Sequence, residues 1–288
     1  MPKVLITGGA GGIASCIAEG LEEAGGYTVV RADIQDRGKP GILIMDVGDY
    51  EAVRQATEDV DIIIHLAFNM FPGSLRGNLI PTNIHGTWNI YEAAHRNGVK
   101  RVIFGSSNHV VGFFKRGEVP TDGRVHRPDS TYALCKSFSE LCGSYFSDRY
   151  GMSVINVRIG SFPHDPDHLP YSRRRCRTWL SPGDCKQLFL RCVQAPNSVK
   201  FLTIYGMSAN SGGDFNVSKF NEAIGYVPQD DGMDHLQHAM DVDLFKSIDE
   251  NGFLGADMVL FDPFENQFEP EYIHFLNQLH GLPDETEE

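Results

Sequence analysis

Tyr132 and Lys136 stand four residues apart in Tyr132-Ala133-Leu134-Cys135-Lys136, and Ser106-Ser107 follows an apolar run upstream. On a helix, positions i and i+4 share a face, so phenol and ammonium would stand side by side. A free phenol ionises near about pH 10, and a neighbouring ammonium lowers that value. The phenolate could then act as a base near neutral pH, with Ser107 hydrogen-bonding the substrate oxygen that loses its proton. Taken alone, YxxxK is a common accident, and a capped helix with a surface Tyr/Lys pair is the bland alternative. Its place on the helix after a run ending in Ser107 favours chemistry, because active sites gather where such strands end.

A second set of residues suggests what that base would work with. Thr7-Gly8-Gly9-Ala10-Gly11-Gly12-Ile13-Ala14 lies between an apolar run and an amphipathic one. Gly8 permits a sharp turn, and Gly11 lets the backbone approach a pyrophosphate at a helix N-terminus, where free N–H groups favour negative charge. Ala14 replaces the usual third glycine, and its methyl still allows close helix–strand packing. Gly12 and Ile13 begin the helix and belong to the same cradle. Asp33, about 20 residues further on, can accept both ribose hydroxyls of NAD and would repel the extra phosphate of NADP. Arg31 and Arg37 flank it and could soften that preference. NAD is therefore the expected cofactor, and its positive nicotinamide ring would further acidify Tyr132. Asp46-Val47 would reach the adenine, and Leu66-Ala67 the ribose and pyrophosphate; either pair could equally be strand-end packing.

These residues need a scaffold. Short apolar runs recur at Lys3–Thr7, Tyr27–Ala32, Ile42–Met45, Asp61–Leu66, Arg101–Gly105, Ser153–Arg158 and Lys200–Ile204. They lack in/out alternation, as expected of parallel strands covered on both faces. Helical periodicity fills the gaps at Ile13–Ala24, Tyr50–Glu58, Asn83–Asn97 and Thr131–Tyr150. The expected fold class is α/β, a Rossmann-like doubly wound parallel sheet with a small C-terminal substrate-binding lobe. Residues 1–160 would bind the dinucleotide and carry the catalytic residues. Residues 161–288 would form the lobe, not an independent domain, with a mixed stretch at His164–Pro170 and helices near Pro182–Gln194 and Phe215–Ile224. Asp284–Glu288 is expected to fray.

The 288 residues carry a formal net charge of -13, which disfavours nucleic acid and anionic membrane as partners. No stretch is long enough to span a bilayer, and no signal peptide is visible at Met1. The six cysteines form no CxxC pair and no zinc-type grouping with histidine, so they are expected to be buried thiols of a cytoplasmic protein, with no metal. Arg173, Arg174, Arg175 and Arg177 form a basic cluster in this acidic chain.

TGGAGGIA, Asp33, Asp46-Val47, His65-Leu66-Ala67, Asn83-Ile84-His85-Gly86-Thr87, Ser106-Ser107 and YxxxK together resemble an extended short-chain dehydrogenase/reductase over most of the chain. A narrower likeness lies in Ser106–Phe114, Arg127-Pro128-Asp129, Ser147–Gly151, Val157–Ser161 and Thr178–Ser181. That succession resembles bacterial uronate dehydrogenases, which oxidise C1 of glucuronate or galacturonate with NAD and release an aldarolactone. The resemblance implies Ser107, Tyr132 and Lys136 as the catalytic set. It also implies Asn83, Ile159, Tyr132 and Lys136 among the cofactor contacts, and Ser107, Asn108, His109, Ser161 and Arg174 as contacts to the sugar acid. A guanidinium such as Arg174 suits a carboxylate through paired hydrogen bonds, although one solvated member of a basic run is the plain alternative. A homo-oligomer, built on the helices at Asn83–Asn97 and Thr131–Tyr150, is expected by the same analogy.

Two departures matter. The segment Phe68–Gly73 lacks the serine that contacts substrate in those enzymes, and the other arginines exceed what one carboxylate requires. An aldose or sugar-phosphate dehydrogenase is the alternative. A nucleotide-sugar epimerase or dehydratase and a non-catalytic NAD-sensing regulator rank below it.

Overall fold

A computed structural model of the chain describes residues 1–69, 75–120, 123–163, 173–215, 222–238, 261–262 and 267–268. The stretch His164–Pro170, most of the expected helix Phe215–Ile224, and the tail Asp284–Glu288 lie outside these residues.

The first half is built from β1 (Lys3–Thr7), α1 (Gly12–Ala24), β2 (Thr28–Asp33), β3 (Ile42–Ile44), α2 (Tyr50–Ala56) and β4 (Ile62–His65). A wide, π-helical stretch, Leu75–His85, then runs into α3 (Gly86–Arg96). The expected helix at Asn83–Asn97 thus takes α-helical form only from Gly86. Pro81 lies within the wide turns, where its missing N–H and bulky ring would break a regular helix.

Next come β5 (Arg101–Ser107), one turn of 3-10 helix at Asn108–Val111, and α4 (Thr131–Tyr150). After β6 (Ser153–Ile159) follow α5 (Arg173–Arg177), α6 (Pro182–Gln194) and β7 (Phe201–Gly206). A 3-10 helix at Gly232–His238 and two short antiparallel strands, β8 (Phe261–Asp262) and β9 (Gln267–Phe268), complete the described elements.

Strands β1 to β7 form one parallel sheet in the order β3-β2-β1-β4-β5-β6-β7. The order reverses between β1 and β4, where a doubly wound sheet leaves a crevice at its carboxyl edge. Alternate side chains of one strand feed opposite layers. Val4, Ile6, Ile62 and Ile64 pack with α1 and α6, whereas Leu5 and Ile63 pack with α2, α3 and α4. Both layers are apolar, which explains the unbroken hydrophobic runs. No helix among the described residues is long and apolar enough to cross a membrane.

A buried arginine ties the last layer to the sheet. Arg101, at the start of β5, donates through Nη1 to Cys192 O and Val193 O at 3.1 Å, and through Nη2 to Pro196 O at 3.0 Å. Its Nε reaches Ser153 Oγ at 2.9 Å. Carbonyls at and just beyond the end of α6 thereby gain a cationic donor. Arg101→Met is expected to cost about 3 kcal/mol, read as a lower denaturant midpoint, because it strands those buried acceptors.

Candidate active site

At the β1–α1 turn, Gly8 has φ +69° and packs against the end of β4; a methyl there would lie 2.8 Å from Ala67 N. The loop is therefore pressed onto Leu66-Ala67 as backbone against backbone. Gly11 caps α1 without any side-chain hydrogen bond, and the first turn, beginning at Gly12 and Ile13, holds no acid. The helix N-terminus thus keeps its N–H groups and positive end for an anion, which fits a dinucleotide pyrophosphate. At the end of β2, Asp33 Oδ2 accepts the Ala10 N–H at 3.0 Å, so the carboxylate stands beside the glycine turn.

The neighbouring strand ends are less open. Asp46 Oδ1 accepts the Gly48 N–H at 2.8 Å. Val47 is buried, its carbonyl accepting from Asn89 Nδ2 at 3.0 Å. Asn83 is fully buried and clasps the backbone of Asn69: its Oδ1 accepts from Asn69 N at 2.8 Å, and its Nδ2 donates to Asn69 O at 3.0 Å. In this state its amide therefore latches the segment after β4.

Thr7 carries a role that composition did not suggest. Its hydroxyl oxygen accepts the N–H groups of Leu66 and Ala67 at 3.2 Å and lies 2.7 Å from His65 Nδ1. The one hydroxyl thus joins the end of β1 to the end of β4 and to the His65 ring. Burial, reinforced by the charge of Lys136, pushes the His65 pKa down to about 3, so the ring is neutral.

The fifth strand and α4 bring the expected catalytic residues to one place. Ser107 is the last residue of β5 and accepts the His109 N–H on its hydroxyl at 3.2 Å. Ser130 caps α4 by accepting the Ala133 N–H at 3.2 Å, which starts the helix one residue before Tyr132. Burial raises the Tyr132 pKa, the Ser107 hydroxyl acts against that rise, and Asp129 adds to it. Lys136 is buried, donates to Gly105 O, and lies 3.6 Å from the centre of the Phe68 ring. Its Nζ is 5.6 Å from the Tyr132 ring centre, and Phe68 meets Tyr132 edge-on at 5.6 Å. Burial drives the Lys136 pKa down to about 7, with Glu140 and Cys135 opposing the fall.

Around the carboxyl ends of β5 and β6 stand the residues expected to meet substrate. Ser107 pairs in register with Ile159, so Asn108-His109 and Gly160-Ser161 leave adjacent strands together. Asn108 is buried, and His109 Nδ1 lies 2.7 Å from the buried carboxylate of Asp129. That carboxylate fills the space where Gly112 lacks a side chain; a methyl there would sit 1.7 Å from Asp129 Oδ2. Ser161 Oγ lies 2.8 Å from Thr178 Oγ1, and Thr178 N–H donates to Arg174 O at 3.2 Å. Arg174, in α5, is only 8% exposed. The segment 70–74, part of the departure noted after β4, lies outside the described residues, as does the Arg173 side chain.

One cluster escaped the reading of the sequence altogether. Glu140, four residues past Lys136, is buried and paired with the fully buried Arg158 of β6. It also accepts from Ser106 and lies 2.9 Å from His126 Nε2. The i+8 spacing from Tyr132 was visible, but nothing local pointed to Arg158 as its partner.

Comparisons with known proteins bear on the fold and the family. The family model described as the NAD dependent epimerase/dehydratase family matches residues 4–166. A uronate dehydrogenase of Pseudomonas syringae pv. tomato is 36% identical over 234 residues, covering 79% of this chain and 82% of its own. An L-arabinose 1-dehydrogenase (NAD(P)(+)) of Haloferax volcanii is 32% identical, covering 80% of this chain and 97% of its own. The crystal structure of a glucuronic acid dehydrogenase from Chromohalobacter salexigens superposes with a TM-score of 0.79 at 32% identity, covering 92% of this chain and 99% of that one.

The selectivity assigned to Asp33 is open to measurement. Asp33→Ser is expected to lower the ratio of NADPH to NADH dissociation constants by at least about tenfold in fluorescence titrations. An unchanged ratio would remove Asp33 from the choice of cofactor. By its sheet, its glycine turn and these matches, the chain belongs to the NAD-dependent epimerase/dehydratase family of extended short-chain dehydrogenases and is an NAD-dependent dehydrogenase.

Proposed function

We propose that this enzyme oxidises C1 of a hexuronate, glucuronate or galacturonate, to the aldarolactone. The observation that carries the reading is the meeting of Ser107, Tyr132 and Lys136 at the ends of β5 and α4, with the buried Arg174 tied through Thr178 to Ser161. Those contacts hold the main chain of Arg174, and a guanidinium carried on that segment can take the substrate carboxylate through two parallel hydrogen bonds. Asn108 and His109 offer donors and acceptors to the sugar hydroxyls. Ser107 holds the C1 oxygen while Tyr132 removes its proton. Bound NAD supplies the acceptor for the hydride leaving C1 and a positive charge that offsets the burial of Tyr132. In this reading residues 1–160 hold the cofactor and the catalytic groups, and residues 161–288 contribute the substrate side.

A second reading keeps the chemistry and changes the sugar to a neutral aldose. The similarity to the L-arabinose 1-dehydrogenase favours it, because that relative is matched over a comparable length. The exposed apolar side chains of α3 and α4, Trp88, Leu134, Leu141 and Tyr145, support a homo-oligomer joined through these helices. All six cysteines are buried free thiols, which supports a cytoplasmic enzyme whose partner is its small-molecule sugar acid.

NADH formation with galacturonate, glucuronate, glucose, arabinose and glucose 6-phosphate separates the readings. Turnover confined to the two uronates is expected, with Arg174→Gln raising their KM at least about tenfold. Turnover of glucose or arabinose instead would overturn the uronate assignment. Tyr132→Phe is expected to lower kcat by about a thousandfold or more while leaving NADH binding near the wild-type value. Full activity in that variant would defeat the role given to Tyr132. Light scattering on the purified protein is expected to give a dimer or larger, and Leu141→Lys to shift it towards monomer; a monomeric wild type would refute the α3–α4 interface.

A further inference from the structure

The dehydrogenase reaction needs a phenol, an ammonium and a serine at fixed spacing, and the described network bears on all three. Glu140 lies one turn beyond Lys136 on the same face of α4. Its Oε1 accepts from Ser106 Oγ and from Arg158 Nε at 3.0 Å. Its Oε2 accepts from Arg158 Nη2 at 2.8 Å and faces His126 Nε2 at 2.9 Å. Ser106 precedes Ser107, so one carboxylate joins the helix of Tyr132 and Lys136 to the strand of Ser107. Arg158 is in turn held by Gly123 O at 2.9 Å, Val125 O at 3.2 Å and Tyr205 Oη at 3.3 Å.

We infer that Glu140 is a positioning residue for the reaction: it fixes α4 against the end of β5 and sets a carboxylate one turn from Lys136. The inference rests on the Ser107–Tyr132–Lys136 reading. Stability alone is a poor reason for the pair, since well-packed apolar side chains usually hold a buried interface at least as firmly.

The surroundings of Lys136 leave a specific task for a negative charge. On α4 it faces Tyr132, Cys135 and Glu140; from β4 it faces the neutral His65, and from β5 the Gly105 carbonyl and the Phe104 ring. Around Glu140 the charged and titratable groups are Arg158 of β6, His126, Tyr205 of β7 behind Arg158, and Tyr91 of α3. Burial favours the neutral amine of Lys136, and Glu140 is the carboxylate that acts against it. Arg158, His126 and Ser106 outweigh the burial of Glu140 itself and hold its pKa below the usual range, so the charge is present at neutral pH.

Removing that charge has two consequences of opposite sign. Lys136 loses its proton more readily, so NADH affinity, which uses the ammonium, falls off at lower pH. The phenol of Tyr132 loses cationic support, so the rising limb of kcat/KM moves to higher pH.

The experiment titrates Glu140→Gln by NADH fluorescence and, with the best sugar, by kcat/KM from acid to alkaline pH. At least about one pH unit of displacement in each profile is expected, downwards for binding and upwards for the rate limb. A folded Glu140→Gln whose two profiles coincide with wild type would overturn the inference, leaving Glu140 a structural residue. Should that variant fail to fold around an unpaired Arg158, the double variant Glu140→Gln/Arg158→Gln removes both charges. The same displacements are expected there, and undisplaced profiles would again overturn the inference. The binding arm needs no sugar, so a wrong substrate assignment leaves it intact. An active Tyr132→Phe would instead break the catalytic reading on its own.

Discussion

Seven strands hydrogen-bonded in parallel must all end on the same edge of the sheet, and the rest of this molecule follows from that constraint. Five of the strands deliver the groups named for the site: the glycine turn after β1, Asp33 from β2, Leu66-Ala67 after β4, Ser107 from β5 and Ile159 from β6. Because order reverses between β1 and β4, the edge is split at the point where a long, two-headed ligand can lie across it. The Thr7 hydroxyl secures this split. It binds two backbone N–H groups beyond β4 and meets His65 Nδ1, so the seam holds its shape without a charged group.

The catalytic edge is a dry environment, and its electrostatics are arranged accordingly. An unassisted phenol, amine and imidazole would all be neutral there. His65 is left neutral, its side chain satisfied at Nδ1. Lys136 sits among the rings of Phe68 and Phe104, whose faces attract a cation, and a carboxylate lies one turn away. Burial of Tyr132 is opposed by the Ser107 hydroxyl alone. In the proposed reaction the further positive charge would come with the cofactor, which would couple base strength to occupancy of the dinucleotide site.

Much of this was legible in the sequence, for a physical reason. The glycine turn, the Tyr132/Lys136 pair and the acid at the end of β2 are local: backbone geometry or helical spacing alone dictates them. The strands were legible because both faces are covered and the hydrophobic runs are unbroken. Pairs formed by folding were not. Glu140 and Arg158, Asn69 and Asn83, Thr7 and His65, and His109 and Asp129 meet only once strands and loops are stacked, and no local spacing announces these pairings. The wide turns before α3 were missed for the converse reason. Helical periodicity was present, but the conformation that accommodates Pro81 is not a property of the pattern.

The contact between Gly112 and the Asp129 carboxylate limits how this site can diversify. Any side chain at position 112 would have to evict a buried acid that also holds His109, so two positions would have to change at once. Such a coupled step is rarely reached through functional intermediates. A mutational library aimed at altered specificity would therefore keep Gly112 and Asp129 as an inseparable pair.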